Sequence, residues 1–193
     1  MQHTSIRNVC VFCGSGPGSL PIFMENANAL GRILAQSGMG LVYGGGSHGL
    51  MGAVARSVLQ YGGHVTGIIP DFLEAKEIML REAQEMIVTK NMHERKQLMF
   101  QKADAFVALP GGIGTLEELV EQMTWSQLGQ HNKPILMLNT NNFWKPLLVL
   151  LAHMREFHFI REGLEVHYMV AEKVDEVVPM LRQAITMRDR QSA

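Results

Sequence analysis

The chain has almost no net charge, two cysteines, no long apolar run and none of the familiar metal or nucleophile signatures, and each scarcity excludes a class of protein. Seventeen Lys and Arg against eighteen Asp and Glu leave a formal charge of -1. No overall field would hold such a molecule on a polyanion, so nucleic acid is not expected as a partner. The apolar run at residues 9–13 ends in glycines, too short for a signal peptide or a spanning helix, which points to a cytoplasmic protein with no membrane partner. Cys10 and Cys13 read as C-x-x-C, but they fall in that same strand-like run. Residues three apart on a strand face opposite ways, so they are expected to be buried thiols rather than a disulfide or half a zinc site. The eight histidines form no H-E-x-x-H and find no acidic partners at ligand spacing, so no metal and no cofactor are expected. Ser15 and Ser47 lie in glycine loops without a G-x-S-x-G elbow, which argues against a serine hydrolase. There is no repeat, linker or low-complexity tract.

What is present reads as one globular domain over residues 1–193, with 47% hydrophobic and 18% charged residues. Short Val- and Ile-rich runs alternate with stretches of helical period. Strands are expected near 9–13, 40–43, 64–69, 85–89, 105–109 and 134–138, with a weaker one near 168–170. Helices are expected near 21–37, 50–61, 92–102, 115–127, 143–157 and 174–187. Strands separated by helices must run parallel, and right-handed crossovers put helices on both faces. The fold class is therefore α/β, a Rossmann-like doubly wound parallel sheet of six to seven strands. The stretch 70–83 is the least regular and could form a flap.

In such sheets ligands bind at the carboxyl ends of the strands. Here those ends carry GSGPGS (14–19, with Gly14 and Ser15), GGGSHG (44–49, with Gly44, Gly45 and Gly46) and PGGIGT (110–115). Gly44, Gly46 and Gly49 match G-x-G-x-x-G with Asp71 downstream, but after the second strand rather than the first, so a tight strand-to-helix turn explains them without a dinucleotide. PGGIGTLEE (110–118) is more informative. Glycines running into a helix whose first turn begins near Thr115 expose backbone N–H groups to an anion, and the lysine of a P-loop is missing. Glu118 has two readings. Thr115-Leu-Glu-Glu118 is a capping box in which Glu118 would bond back to the Thr115 N–H, whereas a carboxylate one turn inside a phosphate-binding helix could face the sugar of a nucleotide. Glu117 points about a quarter turn away, toward solvent. Arg95 and Lys96, in MHERK (92–96), start a helix at the same sheet edge. Cations are mildly unfavourable at a helix N-terminus, so binding a phosphorylated substrate suits them better than a structural role. Met51, Met99 and Met123 read as core filler, and Trp125 and Trp144 as core or interface anchors.

Taken together, FCGSG (12–16), YGGGSHGLMG (43–52), MHERK (92–96), PGGIGTLEE (110–118) and TWSQLGQHNKP (124–134) resemble the LOG ("Lonely Guy") family over about residues 6–160. These are cytokinin riboside 5′-monophosphate phosphoribohydrolases, often labelled lysine decarboxylases. The resemblance implies hydrolysis of the N-glycosidic bond of AMP or an N6-prenylated AMP, giving free base and ribose 5-phosphate, with a small nucleoside monophosphate as substrate. It places the catalytic pair on Arg95 and Glu118, and substrate contacts on Lys96, Gly111, Gly112, Gly114, Thr115, Glu117, Thr124 and, in the irregular stretch, Glu77. It also implies a homodimer or larger homo-oligomer with sites near the interface. Gly16 departs from the family, which more often has a second Ser there. No Ser-x-His-Lys segment of the kind that anchors pyridoxal phosphate is present, which argues against decarboxylation. The alternative is a non-catalytic module that senses a mononucleotide through the same loops.

Overall fold

The computed structural model describes residues 5–74, 79–161 and 163–191. The alternation of β-branched runs and amphipathic stretches folds as one all-parallel sheet in the order β4-β3-β2-β1-β5-β6-β7. The strands are β1 (Asn8–Phe12), β2 (Gly40–Tyr43), β3 (Val65–Pro70), β4 (Glu85–Thr89), β5 (Ala105–Ala108), β6 (Ile135–Leu138) and β7 (Met169–Ala171). Between and after them run α1 (Pro21–Gln36), α2 (Gly49–Gln60), a short α3 (Asp71–Glu74), α4 (Met92–Lys102), α5 (Ile113–Gln127), α6 (Lys145–Glu156) and α7 (Val177–Gln191).

Strand β1 shows why both faces must be covered. Val9, Val11 and Cys13 enter the core shared with α1, α2 and α7, while Cys10 and Phe12 enter the core shared with α4, α5 and α6. The two thiols are thus buried on opposite faces and free, as their spacing requires. Beneath α4 and α5, Phe106 stacks between Phe12 and Phe100 at 5.7 and 6.2 Å. That layer seats the two helices that carry the charged residues discussed below.

The chain builds outward from β1 to β4 and then returns to place β5 on the other side of β1. The crevice between the carboxyl ends of β1 and β5 is the topological switch point, where a doubly wound sheet opens for a ligand.

Most element boundaries fall within one to three residues of the sequence expectation, and two of the differences bear on the site or the chain's end. Helix α5 begins at Ile113 with Gly112 as its N-cap, not at Thr115. Gly114 in the first turn carries little helix propensity, yet the helix still begins ahead of it. Helix α7 continues to Gln191, beyond the expected end at 187. In the irregular stretch, Asp71 opens α3 by accepting the Phe72 N–H (2.6 Å), and Met79 bridges Gly46. Residues 75–78 lie outside the described residues.

Candidate active site

The loops after β1 and β5 are locked together. The Gly14 N–H donates to the Pro110 carbonyl (3.1 Å) and the Leu109 N–H to the Phe12 carbonyl (2.9 Å). A Cβ on Gly111 would collide with the Thr115 hydroxyl and stand 2.9 Å from the Gly14 nitrogen, so only glycine lets the loop lie flush. Gly112 then caps α5 in an extended conformation (φ −87°, ψ −159°) with no side chain serving the helix end. The first intrahelical bond runs from the Leu116 N–H to the Gly112 carbonyl (3.1 Å), which leaves the N–H groups of Ile113, Gly114 and Thr115 without a helical acceptor. Gly112, Ile113 and Gly114 are exposed, and Cβ atoms on the two glycines would meet open space. An uncapped, accessible helix N-terminus at a switch point has the electrostatics that suit an anion.

Because Gly112 is the N-cap, Thr115 and Glu118 do not form the capping box that their spacing suggests. Glu118 instead turns inward, 8% exposed, with Oε1 3.6 Å from Arg95 Nη1. Burial pushes its carboxyl up to about 7; the Arg95 guanidinium opposes that rise, the Glu117 carboxylate adds to it, Lys96 opposes it and Glu121 adds to it.

Arg95 is fixed from three sides. Helix α4 starts with a reciprocal cap in which Asn91 accepts the Glu94 N–H (2.9 Å) and Glu94 accepts the Lys90 N–H (2.8 Å). One turn in, Arg95 Nε donates to the Ile68 carbonyl (3.1 Å) and Nη2 lies 3.5 Å from the Gly44 carbonyl. A side chain on Gly44 would strike the guanidinium, so this glycine serves Arg95. Gly44, Gly45 and Gly46 are all buried, with Leu80 donating to the Gly45 carbonyl (3.2 Å), so the second glycine loop backs the site rather than lining it openly. Gly49, at φ +57°, packs against the Ser15 carbonyl, which accounts for the G-x-G-x-x-G spacing by packing alone.

Lys96 is neither a solvated helix-end cation nor a free one. Its Nζ sits 2.6 Å from Glu117 and 2.9 Å from Glu121. Burial disfavours the ammonium, but the bonds to the two carboxylates outweigh it and hold its pKa above the ordinary value. Glu117 is exposed, as expected, yet engaged rather than merely solvated. Thr124 is exposed and turns its hydroxyl back to the Val120 carbonyl (2.8 Å); six residues past Glu118, it stands about 9 Å further along the helix. Ser15 is exposed at the crevice mouth. Glu77 lies outside the described residues. Sequence reasoning overlooked Glu121 and Gln122, although the (i, i+4) spacings from Glu117 and Glu118 place them on the same two faces of α5. Among the described residues no group of three or more His, Cys, Asp or Glu is placed to hold a metal, and no helix is long and apolar enough to cross a membrane.

Fold and site together define a doubly wound α/β protein with an open helix N-terminus and a buried Arg–Glu pair at its switch point. Residues 51–181 match the family described as "Possible lysine decarboxylase". Over 179 residues the chain is 44% identical to a "Probable cytokinin riboside 5'-monophosphate phosphoribohydrolase" of Oryza sativa subsp. japonica, covering 93% of this chain and 78% of that one. It is 41% identical to the "Cytokinin riboside 5'-monophosphate phosphoribohydrolase" of Rhodococcoides fascians, covering 91% and 89%. The chain belongs to the LOG family. In three dimensions it matches the molybdenum cofactor carrier protein of Chlamydomonas reinhardtii (TM-score 0.67, 23% identity, 93% of this chain and 98% of that one) and the molybdenum cofactor binding protein of Rippkaea orientalis (0.69, 21%, 93% and 97%), which share its fold.

Proposed function

We propose that the protein hydrolyses the N-glycosidic bond of AMP or an N6-prenylated AMP, releasing the free base and ribose 5-phosphate. The observation that carries this reading is the buried Arg95–Glu118 pair set just inside an uncapped helix N-terminus, in a chain whose relatives bear the phosphoribohydrolase name.

The 5′-phosphate docks on the N–H groups at the start of α5, where Gly111, Gly112, Gly114 and Thr115 let it approach the backbone. Breaking the bond from ribose to base develops oxocarbenium character on the sugar, and a fixed carboxylate stabilises that charge best in a site poor in water. Glu118 supplies the carboxylate and takes a proton from the attacking water. Arg95, anchored to the Ile68 and Gly44 carbonyls, keeps Glu118 aimed and reaches the ribose hydroxyls. Lys96 and Glu117 form the polar wall beside it. The phosphate is remote from the reacting carbon, so its binding energy serves positioning, and adenosine should be a poor substrate.

The protein acts as a homodimer or larger assembly in the cytoplasm. Supporting this are the free buried thiols, which suit a reducing compartment, and a run of exposed apolar residues on and after α6: Val149, Leu150, Phe157 and Phe159. Chromatography after incubation with AMP, N6-isopentenyl-AMP and adenosine tests the reading. Free base is expected from the monophosphates and little from adenosine; binding of AMP without base release would instead make the protein a sensor.

A further inference from the structure

Beside Glu118, between β1, α4 and α5, runs a narrow crevice lined by Phe12, Lys96, Met99, Glu118, Glu121 and Gln122, too tight to hold a water molecule. Two oxygens in this wall have no hydrogen-bond partner although both are fully buried: Glu121 Oε2 and Gln122 Oε1. Gln122 as a whole is 2% exposed, and its backbone is pinned by His131 Nε2 at its carbonyl (3.1 Å). Glu121 has already used Oε1 on Lys96. Both orphaned atoms are acceptors, and the Glu118 carboxylate beside them is a third. Burying acceptors without a donor is costly, and the crevice admits no water to serve them. A protonated carboxyl group is the donor that fits.

We infer that Glu118 keeps its proton in this crevice by donating it to Gln122 Oε1, which makes Gln122 a positioning residue for the catalytic carboxyl. The inference rests on the phosphoribohydrolase reading for its catalytic meaning, not for its geometry. In turnover, water adds to the anomeric carbon as the bond to the base nitrogen breaks, and the bonding pair leaves with the base. Turnover starts from the ionised fraction of Glu118: the proton lost by the water moves to its carboxylate, is held there by the crevice acceptor, and then passes to the departing base nitrogen. The groups that face Glu118 are Arg95 and Lys96 from α4, Glu117 and Glu121 from α5, and the neutral Cys10 thiol from β1. Burial, which raises the Glu118 carboxyl to about 7, accords with a group that is protonated over part of the neutral range.

Infrared difference spectroscopy on the free protein during a pH titration reads this directly. The wild type should show the carbonyl band of a buried protonated carboxylic acid that disappears in Glu118→Gln. In Gln122→Met, which keeps the shape but removes the acceptor, the band should move to the higher frequency of a less hydrogen-bonded acid. Its titration midpoint should fall by about one pH unit, and the ascending limb of kcat/KM should fall with it. Gln122→Glu, which restores an acceptor, should bring the midpoint back to the wild-type value or above. Superimposable bands and midpoints in Gln122→Met and the wild type would overturn the inference, even if AMP is hydrolysed. The predicted titration without base release from any nucleotide would support proton sharing and refute the activity instead.

Discussion

Gly44 lacks a side chain because the Arg95 guanidinium occupies the space. Gly44→Ala should therefore displace Arg95 from both Glu118 and the ribose, lowering kcat by about 100-fold, the cost of a small misplacement, and raising KM as well. Steady-state kinetics on AMP check it. Glu118 titrates at about 7 in the folded protein against 4.5 for an ordinary glutamate, so the native state binds its proton more tightly than the unfolded chain. Its contribution to stability is fully present below 4.5 and is lost as pH rises through 7, by at most about 3 kcal/mol. The melting temperature of Glu118→Gln should thus gain on the wild type between pH 5 and pH 8, which calorimetry measures; a difference independent of pH would show that Glu118 is not held in the protonated form. At this scale the sequence was ambiguous for a physical reason. Thr-x-x-Glu is equally the spacing of a capping box, and only the position of the N-cap, Gly112 rather than Thr115, removes that reading. Lys96 was legible as a cation near the site, but its two carboxylate partners depend on how α4 packs against α5.

Among the described residues, short apolar runs marked the seven strands, the last of them weakly, because strands buried on both faces read as continuous runs, and helical periodicity marked six of the seven helices. The start of α5 and the end of α7 escaped it, since glycines at one and polar residues at the other carry no periodic signal. The start of α5 also yields a contrast between neighbours. A Cβ on Gly111 collides with Thr115, whereas one on Gly112 meets nothing within 4 Å, and Gly112 has an ordinary negative φ. Gly112→Ala should leave the melting temperature near that of the wild type yet raise KM for AMP, because the added methyl stands where the phosphate approaches. Gly111→Ala should lose stability as well. Equal loss of stability in both variants would mean that Gly112 is structural, with no role in admitting a phosphate.

For the molecule as a whole, the ligand-binding edge of the sheet was legible from the three glycine loops that follow its strands, whereas the strand order that puts the switch point between β1 and β5 was not, because it depends on how the strands pack. The exposed apolar residues on and after α6 were not legible as a surface, since Phe157 and Phe159 read like any core aromatic until their 59% and 84% exposure is seen. The double substitution Phe157→Asp with Phe159→Asp should convert a dimer or larger species into monomer by sedimentation, and an unchanged assembly would place the interface elsewhere. The central claim is that Glu118 is the carboxylate that breaks the glycosidic bond. Its most direct measurement is the rate of adenine release from AMP by Glu118→Gln beside the wild type, each with a cooperative melt confirming its fold. The account predicts steady release by the wild type and loss of release by the variant; a variant that releases adenine near the wild-type rate would contradict it.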